Sequence, residues 1–301
     1  MSELEARIAR KKAEKNAVIL AHYYVDGAVQ AIADYVGDSY YLSQKAAETD
    51  ASVLVFCGVK FMGESAKILN PEKTVVMADF EADCPMAHMV TPERIEEVRR
   101  THDDLAVVCY INSTAEIKAH SDVCVTSSNA LHIVRALPQK NIFFVPDQNL
   151  ARHIADQLPE KHFIYNDGYC PIHHVITAED VLRAKAAHPG APVLIHPECP
   201  PDVCALGDYV GATSGIIKAA EGMDADEFIV CTETGVFWEM ERRMPGKKFY
   251  PVRSAQICPD MKLITLEKIA HVLDTLENAV ELPEDITGPA AGCLIKMHEL
   301  A

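Results

Sequence analysis

The chain has 301 residues, about half of them apolar (49%), and its 28 basic against 44 acidic side chains give a formal charge of −16. That surplus of carboxylates argues against nucleic-acid binding, which needs a clustered basic face to neutralise phosphates. No apolar run approaches a membrane span, and the charged, helix-like residues 1–15 do not read as a signal peptide, so a cytoplasmic protein with no membrane attachment is expected.

Taken in chain order, the apolar run 18–21 predicts a strand and residues 28–35 a short helix. A brief strand near Val36 leads into a helix over 39–48. A strand over 52–56, a helix over 61–69 closed by Asn70 and Pro71, and a strand over 74–77 follow. The same order is then written twice more. The run 18–22, ending in His22, recurs as 107–110, ending in Tyr110, and as 193–196, ending in His196. The segment from Asp34 to Ser39 recurs between Asp122 and Ser127 and between Asp208 and Thr213. A third run (53–56, 142–145, 228–230) and a fourth (74–77, 162–165, 248–250) keep register. A self-similarity of this length is a triplicated domain.

Strands alternating with helices imply parallel sheets covered on both faces. The expected fold is therefore α/β, with three homologous αβα three-layer domains related by a pseudo-threefold axis. After each fourth run comes a Cys-Pro pair: Cys84-Pro85, Cys170-Pro171 and Cys258-Pro259. Each pair is followed by a helix start opened by a threonine (Thr91, Thr177 or Thr265) with a glutamate two residues on, a capping arrangement. The third of these helices, over 265–278, has no strand after it and belongs by register with the first repeat. The expected domains are 1–86 with 262–301, 87–172 and 173–261.

In parallel α/β sheets ligands gather at the carboxyl ends of strands. His22, Tyr110 and His196 end first strands, Ser39, Ser127 and Thr213 open helices after second strands, and the three Cys-Pro cysteines follow fourth strands. A threefold arrangement would bring all of them to one cavity. The hydroxyls read most simply as helix N-caps. Aimed together, the same helix starts would also form an anion site without lysines. His22-Tyr23-Tyr24 and the run from His196 to Glu198 concentrate proton carriers, and burial would raise the proton affinity of Glu198.

Ten cysteines in a chain of this kind do not suggest a disulfide framework. Cys57, Cys109, Cys124, Cys231 and Cys293 read as small buried hydrophobes, as do Cys199 and Cys204, whose spacing matches no common ligand loop. Three thiolates converging from three domains leave zinc or an iron–sulfur cluster open as centres, and proline beside each cysteine leans towards iron. A metal or redox sensor stapled by the cysteines, and a hydrolase with a cysteine nucleophile, are the competing readings.

The set formed by His22 and Tyr24, Asp34 to Ser39, Cys84 to Met86, Tyr110 with Asn112 and Thr114, Thr126 to Ala130, Cys170 with His173, His196 to Pro200, Gly211 with Thr213, and Cys258 with Met261 and Lys262 resembles the quinolinate synthase family. The resemblance runs over about residues 10–280. It implies one [4Fe–4S] cluster per chain on Cys84, Cys170 and Cys258, with one iron left open. It implies condensation of iminoaspartate, supplied by an aspartate-oxidising enzyme, with dihydroxyacetone phosphate to give quinolinate, phosphate and water. Substrate contacts are implied for His22, Ser39, Tyr110, Asn112, Ser127, His173, His196, Glu198 and Thr213, and catalytic roles for Tyr24, Glu198 and His196. Cys258 is followed by Pro259, Asp260 and Met261, so the C-x-x-C-x-x-C run of some members is absent. Tyr23 receives no role.

Overall fold

An aspartate opens each second strand and reaches back fifteen residues to the first. Asp34 Oδ2 accepts the amide of Ile19 at 2.8 Å, Asp122 Oδ2 that of Val107 at 2.7 Å, and Asp208 Oδ2 that of Val193 at 2.8 Å. A lysine that precedes each fourth strand repeats in the same way. Lys73, Lys161 and Lys247 each bring Nζ to two carbonyls at the carboxyl end of the helix after the second strand. A cation there satisfies orphan carbonyls and the negative end of the helix dipole. The sequence repeat is thus also a repeat of hydrogen bonds.

These contacts belong to a computed structural model that describes residues 2–301; Met1 lies outside it. The first unit holds β1 (Ala17–His22), β2 (Tyr35–Gly37), β3 (Val53–Cys57) and β4 (Thr74–Met77). The second holds β5 (Leu105–Tyr110), β6 (Val123–Val125), β7 (Asn141–Val145) and β8 (His162–Tyr165). The third holds β9 (Val193–Ile195), β10 (Tyr209–Val210), β11 (Glu227–Cys231) and β12 (Lys248–Pro251). All pairings are parallel, and the orders β2-β1-β3-β4, β6-β5-β7-β8 and β10-β9-β11-β12 are one topology used three times. The fold is α/β with three αβα layers. Central strands are apolar on both faces because helices cover both.

The helix Ser39–Glu48 and the strand Thr74–Met77 have the bounds expected of them, whereas the first short helix is Gly27–Ile32 and stops sooner than expected. Thr91, Thr177 and Thr265 each cap a helix, with the side-chain oxygen accepting an amide three residues on. The last of these, Leu266–Thr275, packs on Glu3–Glu14 and β3, and an antiparallel bridge from Ala279 to Val76 follows it. The final helix Glu284–Leu300 lies against β6 and the helices Ala115–Ala119 and Lys60–Leu69. Through it the cores of the first two units merge, while the third unit keeps separate apolar clusters on the two faces of its sheet. Among the described residues no helix is long and apolar enough to cross a membrane.

Candidate active site

The carboxyl ends of the strands surround one cavity of about 140 Å³. The first unit contributes His22, Tyr24, Ser39 and Cys84, and the second Tyr110, Asn112, Ser127 and Cys170. His173, His196, Glu198, Thr213 and Cys258 complete the wall. Every candidate ligand, substrate-contact and proton-carrying residue named from the sequence therefore lines the same space.

Two strand ends build the same local device. His22 Nδ1 accepts the backbone amide of Tyr24 at 3.2 Å, and His196 Nδ1 accepts that of Glu198 at 3.3 Å. Burial lowers both rings, His22 to about 4 and His196 to about 3, so each is neutral near pH 7. With Nδ1 accepting, the proton sits on Nε2. Both rings are fixed hydrogen-bond donors.

Glu198 is 3% exposed. Burial by itself raises a carboxyl, as the sequence reading expected, yet the structure lowers this one far below the carboxylate range. The cause is its donors: His173 Nδ1 at 2.8 Å and the Tyr110 hydroxyl at 2.7 Å. The group is ionised at rest. His173 is held in turn, stacked on His196 with ring centroids 4.8 Å apart and with Nε2 2.9 Å from Thr232 Oγ1. The Tyr24 hydroxyl lies 2.9 Å from Thr213 Oγ1 and 2.7 Å from Thr232 Oγ1. Burial and the Glu198 charge raise its pKa well above the ordinary phenol value, so the phenol keeps its proton.

The N-cap reading fails at Ser39, Ser127 and Thr213. The caps are Asp38, whose carboxylate accepts the Tyr41 amide, then Asn129 and Ala212. Ser39 and Thr213 are the first helical residues and Ser127 lies in the turn before its helix. Their hydroxyls are therefore spared from capping and stand at helix starts, where amides lack helical partners.

Each Cys-Pro cysteine precedes a short helical turn, and the amides two and three residues on (Met86 and Ala87, Ile172 and His173, Asp260 and Met261) lower its thiol against the burial that raises it. Each cysteine's own amide is pinned by a carboxylate, Asp83 Oδ1 at 2.7 Å, Asp147 Oδ2 at 3.1 Å or Glu233 Oε1 at 3.2 Å. Burial raises all three thiols, that of Cys258 to about 11, and as anions Cys84 and Cys258 repel one another. Amides that favour the thiolate form, in a buried and mutually repelling set that lines one cavity, suit thiolates gathered on a cationic centre. Among the described residues Cys170, His173 and Glu198 also bring donor atoms within 4.8 Å of one another. The residues fit a metal cofactor.

Sequence reasoning missed Thr232, Glu233 and Asp147. Both carboxylates stand two residues after the third strand of their unit, a register match that could have exposed them; the first unit has Val59 there and uses Asp83 instead.

Acid–base groups and fixed donors closed inside a parallel α/β scaffold mark an enzyme acting on small molecules. A profile of the family described as Quinolinate synthetase A protein matches residues 6–299. Proteins named quinolinate synthase resemble the chain along nearly all of its length. That of Fusobacterium nucleatum is 51% identical over 298 residues, covering 99% of each chain. That of Clostridioides difficile is 48% identical over 299 residues (99% of this chain, 98% of the relative), and that of Caldicellulosiruptor saccharolyticus 46% over 301 (100% and 99%). The chain belongs to the quinolinate synthetase A protein family, enzymes of NAD biosynthesis.

Proposed function

We propose that this enzyme condenses iminoaspartate with dihydroxyacetone phosphate to quinolinate, releasing phosphate and water, with one [4Fe–4S] cluster on Cys84, Cys170 and Cys258. The observation that carries this reading is the triple cysteine device: one thiol per unit, all three lining one cavity, each with its own amide on a carboxylate. When bound, the cluster would supply a Lewis acid for loss of the last hydroxyl.

The chain's own groups take the remaining work. Nε2–H of His22 and of His196, the hydroxyls of Ser39, Ser127 and Thr213, the amides at their helix starts, and Asn112 and Tyr110 hold the substrate carboxylates and phosphate. Neutral imidazoles suit that task because they donate without trapping an anionic product. Tyr24 carries the proton in the ketone–aldehyde isomerisation that precedes ring closure. Glu198 removes the proton that aromatisation requires, with His173 and Tyr110 orienting it. The source of iminoaspartate is an aspartate-oxidising enzyme, and the setting is the cytoplasm.

One contact favours a second reading. His173 Nδ1 lies 3.1 Å from Cys170 Sγ, the pair a cysteine hydrolase needs. Against it, burial and the Glu198 charge push the Cys170 thiol up, whereas nucleophilic cysteines need it lowered. A sensor would need a fourth protein ligand, and the nearest groups are engaged elsewhere: Glu198 by Tyr110 and His173, His173 by Thr232.

The test is anoxic purification, assay of iron and acid-labile sulfide, and chromatography for quinolinate formed from the two substrates. Iron and sulfide in equal amount with quinolinate production supports the proposal. Metal-free protein with an alkylatable Cys170 and no quinolinate would establish the hydrolase.

A further inference from the structure

The turn after each first strand carries one residue given a part in the reaction. These are Tyr24, Asn112 and Glu198, each two residues beyond His22, Tyr110 or His196, and all three line the cavity. A short helix follows each turn: Gly27–Ile32, Ala115–Ala119 and Pro201–Cys204. The fourth residue of each helix reaches back five positions to the same place. Gln30 Nε2 donates to the Val25 carbonyl at 2.9 Å, Lys118 Nζ to that of Ser113, and Cys204 Sγ to that of Cys199 at 3.4 Å. In every unit the accepting carbonyl belongs to the residue just after the one that lines the cavity. The three donors are chemically unlike, so matching residue types along the chain does not reveal this repeat.

Two of the donors are deeply buried. Lys118 is 0% exposed, and its ammonium meets the Ser113 carbonyl and the Phe61 ring, with Nζ 5.4 Å from the ring centroid. A lysine stays buried only where partners hold its charge. From the first unit, Glu64 Oε2 accepts the Ala115 amide at 2.8 Å and braces the same turn. Gln30 is 2% exposed, and its Nε2 also lies 2.9 Å from the carbonyls of Tyr23 and, in the third unit, Gly235. The Cys204 thiol is the weakest donor of the three. We propose that Gln30, Lys118 and Cys204 are one positioning device used three times, each holding the turn that presents Tyr24, Asn112 or Glu198 to substrate. This rests on the roles given above to those three residues.

Lys118→Met and Gln30→Met remove the donor and keep the length; Lys118→Gln puts the first unit's donor in the second. Asn112 binds substrate and Tyr24 carries a proton, so the two losses should differ in kind. Lys118→Met should raise KM roughly tenfold with kcat within about threefold. Gln30→Met should lower kcat roughly tenfold with KM within about twofold, and Cys204→Ala should lower kcat about threefold. Iron and sulfide content should stay unchanged throughout, and Lys118→Gln should restore most of the affinity. Lys118→Met should cost nothing further in an Asn112→Ala background, nor Gln30→Met in Tyr24→Phe, because the positioned group is gone. Native kinetics in any one of the three variants overturns the proposal. So does an identical change of kcat and KM in both Met variants, or a loss that adds fully to that of Asn112→Ala or Tyr24→Phe. Failure of both Met variants to fold or to hold iron means that the role is structural and the proposal is wrong; if only one fails, the other decides. A Tyr24→Phe or Asn112→Ala enzyme with native kinetics refutes the role given to that residue. Impaired Tyr24→Phe and Asn112→Ala beside native Met variants refute only the positioning.

Discussion

The Tyr110 hydroxyl of the second unit donates to Glu198 Oε1 of the third at 2.7 Å, within the cavity. A buried carboxylate keeps its charge only while such donors hold it. Glu198→Gln and Tyr24→Phe should each lower turnover roughly a hundredfold with iron content unchanged, as loss of a general acid or base does. Tyr110→Phe should have a smaller effect, about tenfold, because His173 still holds the charge. Single-turnover formation of quinolinate measures all three, and a native rate in Glu198→Gln would dismiss it as a proton carrier.

On the proposed cluster assignment, serine at Cys84, Cys170 or Cys258 should abolish the brown chromophore and the bound iron and sulfide, because among the described residues no other thiol lines the cavity. Replacing Cys57, Cys199 or Cys231 by alanine should leave iron content intact at a packing cost of about 1 kcal/mol. Full iron in Cys170→Ser would contradict the assignment.

Lys262 Nζ donates to the Tyr24 carbonyl at 2.6 Å and lies 3.1 Å from Glu233 Oε1, the oxygen that accepts the Cys258 amide. One cation therefore ties the Tyr24 loop to a cysteine loop. Lys262→Met leaves Glu233, 0% exposed, without its neutralising partner. The variant should lose about 2 kcal/mol of stability to urea and about tenfold in turnover. An unchanged urea midpoint would show that the tie is not energetic.

The buried histidines dictate an acid sensitivity. His22 falls to about 4 and His196 to about 3 in the folded chain, against an ordinary value of 6.5. The unfolded chain therefore binds the extra protons first, and stability is full above pH 6.5 and declines as pH falls towards those values. Each ring should cost about 1 kcal/mol at pH 5.5, and His22→Gln should remove its share of the loss. Glu198, lowered instead, contributes above its unfolded value and loses that only as pH drops through its depressed folded one. Urea midpoints at pH 7.5 and 5.5 measure the difference, and equal slopes in native and His22→Gln protein would contradict it.

The strands, the capping threonines and the Cys-Pro loops were legible in the sequence because each is a local matter: period, turn chemistry, a hydroxyl before a helix. The repeat went further, since equal positions in equal units must fall at equal places, and it assigned His22, Ser39, Tyr110, Cys84 and their counterparts to one cavity. Contacts between units carry no such signature. Tyr23, given no role, enters the apolar cluster of the third unit, and the helix Glu284–Leu300 lies between the first and second. Asp38, not Ser39, caps its helix. Burial was expected to raise the proton affinity of Glu198, yet Tyr110 from a different unit, with His173, keeps it charged. Thr232 shows no pattern at all in the chain and joins Tyr24 to His173 in space. The amino-acid order by itself determined which groups reach the cavity. Only the packing of the three units decided which hydrogen bonds they make, and with them which groups are charged, because those bonds join residues far apart in the chain.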